Sequence, residues 1–144
     1  LGAGQPAQAL AAGQEAVRQA CLLALGTGLI YLIGAGWIFQ LMSQEQAVRD
    51  IGVPALRFIS WYQVPLAMFI VCLYALRGAG DTQFPILINI VGLLVLRLPL
   101  AYVFGLVWQW GLLGVWSAMC LEVTLRAFWI YLRFRNGRWI HLKV

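Results

Sequence analysis

Charge is what this 144-residue chain has least of: lysine, arginine, aspartate and glutamate together make up 10% of it, against 62% hydrophobic residues. Soluble domains carry about 25% charged residues, so there are too few ionised groups here to cover a water-exposed surface. A single histidine, His141, and three cysteines at unrelated spacings, Cys21, Cys72 and Cys120, supply no set that would hold a metal ion. The cysteines sit in apolar stretches and read as small buried hydrophobes. Ser43, Ser60 and Ser117 have no partnering base nearby in sequence, so nothing points to an enzyme and no cofactor is expected. A charged leader with a cleavage site is also missing, and Leu1-Gly2-Ala3-Gly4-Gln5-Pro6 reads as the inside of a longer protein.

Apolar runs longer than a strand or an ordinary core helix take the place of charge, and they predict an all-α, polytopic membrane protein with four transmembrane helices. Residues 7–42 form an interfacial helix running into span one: Gln8, Gln14, Glu15, Arg18 and Gln19 give an amphipathic start, and Ala20 to Met42 extend about 33 Å. Ala24 and Gly28, with Gly34 and Gly36 beyond, offer a small face for a neighbouring helix. Ser43 to Asp50 is a polar connection. Span two covers 52–76, with Pro54 near its start and Pro65 inside it. Pro65 cannot donate to the Trp61 carbonyl, so a kink is expected over Ser60 to Pro65, where Trp61, Tyr62 and Gln63 either line a pocket or pack structurally. Span three covers 84–107 and is interrupted by Asn89, Arg97 and Pro99. After a short aromatic turn at Trp108-Gln109-Trp110-Gly111, span four covers 112–132, with Gly114 and Ala118 as a second small face. Residues 133–144 form a basic tail containing Arg133, Arg135, Arg138 and Lys143.

Between spans two and three lies a polar island, Arg77-Gly78-Ala79-Gly80-Asp81-Thr82, which reads as a structural loop. Its glycines resemble a phosphate loop only superficially, because the lysine and following hydroxyl residue of such a loop are missing. Arg18, Arg77, Arg133, Arg135, Arg138 and Lys143 gather at one end of the spans, while the opposite connections hold only Arg49. The positive-inside rule places both chain ends and the island in the cytoplasm, and four crossings return both ends to one side as that count requires. The net charge of +5 therefore suits anionic lipid headgroups, and no nucleic-acid partner is expected.

Ionisable residues at membrane depth face a partner or a wet cavity. From the basic ends of their spans Arg97 lies about 20 Å in and Glu122 about 16 Å in, heights that predict contact between them, with Asn89 and Arg126 at a shallower level. Glu122 and Arg126 also share a helix face at i and i+4, which offers Glu122 a partner on its own helix. The four residues either lock helix packing or bound a water-filled route for substrate or ions.

Leu76-Arg77-Gly78-Ala79-Gly80-Asp81-Thr82 followed by Phe84-Pro85 resembles the multidrug and toxic compound extrusion (MATE) family. The likeness extends to the opening Leu1-Gly2-Ala3-Gly4-Gln5, to Arg97-Leu98-Pro99-Leu100-Ala101-Tyr102, to Gly111-Leu112-Leu113-Gly114-Val115-Trp116, and to Arg133-Phe134-Arg135-Asn136-Gly137-Arg138-Trp139. The resemblance implies a twelve-span exporter of two six-helix lobes. This chain would supply spans nine to twelve of the second lobe, and its missing amino-terminal lobe would be its partner. It further implies exchange of organic cations or amphiphilic drugs for sodium ions or protons by alternating access, in a bacterial inner membrane. The island would connect spans ten and eleven, with Arg77 and Asp81 fixing the loop or docking the lobe to its surroundings rather than touching drug. A related exporter of polar or lipid-linked cargo, which would need a strongly cationic cavity, and a small structural four-helix module are the competing readings.

Overall fold

The computed structural model describes residues 5–137 and Trp139, and over these it is helical with short connections. The Arg138, His141 and Lys143 part of the basic tail and the Leu1 to Gly4 part of the opening motif lie outside the described residues. Helix α1 is Pro6–Met42, α2 is Gln46–Ser60 and α3 is Gln63–Gly78. Helix α4 is the continuous stretch Gln83–Val107, and α5 is Gly111–Arg135. Three of these, α1, α4 and α5, are individually long and apolar enough to cross a membrane; α2 and α3, bent by 54°, make a fourth span when taken as one. Large side chains such as Leu23, Ile33, Trp37 and Leu41 are 74–88% exposed, an outer surface suited to hydrocarbon rather than water.

Helix α1 packs against α2 and α3, α3 against α5, and α5 against α4. The tightest packing lies at the end of the bundle shared by the start of α1, the end of α3 and the end of α5. Val17, Cys72, Leu76, Ala127, Ile130 and Phe134 are buried there together. Small residues permit the approach: a Cβ on Gly13 would sit 2.5 Å from the Phe134 ring, and one on Gly28 3.0 Å from the Ser60 carbonyl oxygen. Gly114 faces the Phe104 carbonyl across the α4–α5 turn, and a Cβ there would lie 2.9 Å from the Gly105 nitrogen. Gly28 and Gly114 thus bring backbones into contact, whereas Gly34 and Gly36, farther along α1, meet no neighbouring helix among the described residues.

Several boundaries differ from the sequence expectation, each for a local reason. The polar connection contracts to Ser43, Gln44 and Glu45, because Gln46 to Asp50 form the first turn and more of α2. The kink expected over Ser60 to Pro65 is present as the 54° break between α2 and α3, just beyond which lies Pro65. It stands in the first turn of α3, where an N–H would have no intrahelical partner, and the break falls just before it at Trp61 and Tyr62. Their N–H groups turn back to the Phe58 and Ile59 carbonyls at 3.2 Å each, a tighter register that ends α2. The tail does not begin at residue 133 either. Arg133 and Arg135 occupy the last turn of α5, and Trp139 folds back, its indole N–H donating to the Phe134 carbonyl at 2.7 Å.

Helix α4 is not uniformly α-helical: Val91–Arg97 and Val103–Val107 are wound as π-helix. Pro99 accounts for part of this. In the α register the Val95 carbonyl would look for a donor at Pro99, which has none, whereas an i→i+5 register offers it the Leu100 N–H.

The α3–α4 turn closes on backbone alone. Gly80, at φ 87°, ends α3 in the left-handed region, with Asp81 N–H donating to Leu76 O at 2.9 Å and Gly80 N–H to Arg77 O at 3.1 Å. That pair of bonds is a Schellman closure, and glycine is the residue that adopts its geometry without a Cβ penalty.

Candidate functional site

The π-wound part of α4 carries Asn89 just before it, Gly92 near its start and Arg97 at its end, while α5 presents Glu122 and Arg126 opposite. Glu122 is fully buried. Its Oε2 accepts from Arg97 through Nη2 at 2.9 Å and Nε at 3.2 Å, and from Arg126 Nη2 at 3.2 Å. Its Oε1 faces Arg126 Nε. Arg126 in turn donates to Asn89 Oδ1 at 2.7 Å, and its guanidinium lies 4.7 Å from the centre of the Phe69 ring on α3. The two partners proposed for Glu122 by sequence are therefore both used, and Asn89 is joined to the same network through Arg126.

Why these groups meet follows from the helices. Glu122 and Arg126, four apart on α5, present one face with acid before base. Gly92 is what lets that face close on α4, since a Cβ on it would lie 2.6 Å from Glu122 Oε1 and would also strike the Arg126 side chain. An i→i+5 winding turns residue 97 more nearly beneath residue 92 than an α-helix does, so Arg97 reaches the carboxylate from which Gly92 leaves room.

A buried carboxylate is costly unless its oxygens are filled by charged donors, and two guanidiniums fill them here. Two arginines on one acid leave the cluster with an excess positive charge. The side chain of Arg97 is 31% exposed against 12% for Arg126, so the outward-facing cation is Arg97 and the fixed one is Arg126.

The other residues singled out by sequence are placed differently. Tyr62, at the α2–α3 break, lies close enough to Arg97 and Cys120 for electrostatic interaction. Gln63 and Pro65 begin α3 and are half-buried. Trp61 turns away, 75% exposed, and lines an apolar groove of ≈ 260 Å³ with Ala24, Gly28, Leu32, Ser60 and Val64, residues that are no part of the charged cluster. Ser117 and Thr124 donate their hydroxyls to carbonyls one turn back on α5 and add nothing to the site.

In the island, Asp81 pairs with Arg133 of α5, its Oδ2 accepting from Nε at 2.9 Å, while Arg77 is exposed. Gly80 and the backbone close the loop, Asp81 ties it to α5, and the exposed Arg77 is left facing the surroundings. Three residues escaped the sequence reading. Gly92 stands among apolar neighbours, and only its spacing from Asn89 and Arg97 hinted at a role. Phe69 gave no signal. Arg57, exposed in the last turn of α2 close to the break, was legible as an arginine inside an apolar span. Among the described residues no group of three or more histidine, cysteine, aspartate or glutamate side chains is placed to hold a metal ion.

Comparison with known proteins decides the family. The MatE family model matches residues 1–103, most of the chain. The chain belongs to the MatE family. The matched part of this MatE chain includes Asn89 and Arg97 but ends before Glu122 and Arg126. A probable multidrug resistance protein NorM of Thermotoga maritima is 28% identical over 127 residues, covering 85% of this chain and 27% of that protein. The uncharacterized transporter YisQ of Bacillus subtilis is 34% identical over 71 residues, covering 49% of this chain and 16% of that protein. A probable multidrug resistance protein NorM of Idiomarina loihiensis is 24% identical over 141 residues, covering 94% of this chain and 30% of that protein. The chain thus spans between a sixth and a third of the length of these relatives. No solved structure gives a significant match.

Proposed function

We propose that this chain is part of a secondary active multidrug exporter, exchanging organic cations or amphiphilic drugs for sodium ions or protons by alternating access. The observation that carries the reading is the buried Arg97–Glu122–Arg126–Asn89 network, held between two membrane spans in a MatE chain. A purely structural lock would favour a neutral cluster, because excess charge at membrane depth is costly when it has no wet surface or partner to face. Here the excess resides on the half-exposed Arg97, beside the α2–α3 break that carries Tyr62. The similarity to two proteins named as probable multidrug resistance proteins supports drugs as the cargo.

On this reading the α2–α3 break and Arg97 border the route, and Arg126 with Asn89 anchors the fixed wall. Glu122 holds the two walls together and is released or re-paired as the cavity changes side. The complete protein, reconstituted into vesicles with a fluorescent cationic dye, is expected to export dye when given a sodium or a proton gradient. Glu122→Gln, which keeps the shape and a hydrogen-bonding oxygen of the side chain, is expected to reduce export about tenfold or more per folded molecule, in line with loss of a charge-assisted pair. Normal export by that variant would reduce the cluster to a packing device, and absence of export by the wild type under both gradients would remove the exporter reading.

A further inference from the structure

The polar island has no part in the route just proposed, yet its geometry is that of a prepared anion site. The Schellman closure at Gly80 sets the position of Asp81, which is 5% exposed and whose carboxylate accepts from Arg133 Nε at 2.9 Å. The Arg133 guanidinium also lies 5.2 Å from the centre of the Phe84 ring. With Nε engaged and one face covered, the side chain is held in orientation, and its remaining donors are the terminal fork of Nη1 and Nη2. Neither has an acceptor among the described residues, and neither the Thr82 hydroxyl nor the Gln83 amide has a hydrogen-bond partner there. Arg133, Thr82 and Gln83 line one cavity of ≈ 480 Å³ with Gly80, Asp81, Phe84 and Leu87.

We propose that this cavity binds the phosphate of an anionic phospholipid headgroup. A free planar fork matches two phosphate oxygens at once, and an arginine already oriented by Asp81 and Phe84 loses little freedom on binding. Thr82 supplies a third donor. Asp81 also lines the cavity and its charge is balanced by Arg133, so the positive excess that favours an anion comes from the exposed Arg77 and Arg135 near the same helix ends. The lipid is favoured over a soluble anion by position. The cavity opens where α4 leaves its apolar stretch, and the exposed Ile86 and Leu87 continue from it along the surface that faces acyl chains. Bound there, a headgroup would bridge the α3–α4 turn to the end of α5. This proposal is independent of the exporter reading.

The test uses protein expressed from its complete reading frame and purified in neutral detergent, with binding followed by native mass spectrometry and by thermal shift. The probes are dioctanoyl phosphatidylglycerol, dioctanoyl phosphatidylcholine and sodium phosphate, each alone. Phosphatidylglycerol is expected to bind about tenfold more tightly than phosphatidylcholine, the difference a bidentate charged contact supplies. Asp81→Asn combined with Arg133→Gln removes both charges while leaving a neutral hydrogen-bonding pair, and is expected to erase that preference with the protein still folded. Thr82→Val, which removes no hydrogen bond among the described residues, is expected to weaken phosphatidylglycerol about threefold, as for one lost hydrogen bond. Equal binding of the two lipids by the wild type overturns the proposal, as does an undiminished preference in both variants. Protection by sodium phosphate alone that matches phosphatidylglycerol would overturn the assignment to lipid.

Discussion

Glu122 shows how a single residue organises its surroundings. Fully buried, it requires both Arg97 and Arg126, and the room for them comes from Gly92. Removing the acid leaves two guanidiniums facing one another, whereas removing Arg97 leaves the carboxylate still paired. Glu122→Ala is therefore expected to cost about 3–5 kcal/mol of stability and Arg97→Ala about 1.5–3 kcal/mol, and a double-mutant cycle should show strong coupling. Comparable losses from the two single variants, measured by thermal or denaturant unfolding in detergent, would contradict the unequal roles assigned to the partners. Much of this cluster was legible in the sequence. Arg97 and Glu122 could be matched by depth, and Glu122 and Arg126 by helical spacing. Gly92 and Phe69 were not, since a glycine or phenylalanine among apolar residues carries no mark of the charge it will face.

At the scale of elements, turns and breaks decide more than the spans between them. Gly80 at φ 87° closes α3, so Gly80→Ala is expected to cost about 1–2 kcal/mol, the penalty for a Cβ in the left-handed region, and to loosen the Asp81–Arg133 link. Hydrogen exchange at the Asp81 amide, which donates to Leu76 O, would report it; unchanged protection would place the closure elsewhere. The sequence marked this turn through its glycines and charges. It marked the α2–α3 bend through Pro65 and placed it over Ser60 to Pro65, where the 54° break lies; a proline announces that a helix is interrupted without saying on which side its new first turn begins. The π winding of α4 was not legible. It accompanies Pro99 and the packing of α4 on α5, and the same letters read as an ordinary apolar helix.

Over the whole molecule, basic residues collect at one end: Arg18 on α1, Arg77 at the end of α3, and Arg133 and Arg135 at the end of α5. The opposite connections are Ser43 to Glu45 and the aromatic turn, in which Phe104 stacks on Trp108 and Trp110 packs tilted against both. Single cysteines placed at Thr82 and at Gln44, in a protein whose own cysteines are replaced, are expected to react with a membrane-impermeant maleimide from opposite sides, Thr82→Cys from the cytoplasm. Labelling of both from one side would break the four-crossing topology.

Apolar run length and scarcity of charge were sufficient to determine that this chain is helical and crosses a membrane, because a backbone without water must bond to itself. Family likeness was also legible, carried by short motifs in order. What only the tertiary structure decided is which charges share a partner. Glu122 could have been satisfied by Arg126 alone, and Asp81 by Arg77; packing of α4 on α5 gave each acid a partner from another segment instead. Spacing along a helix limits the candidates, but the approach of two helices, set by glycines and by winding, chooses among them.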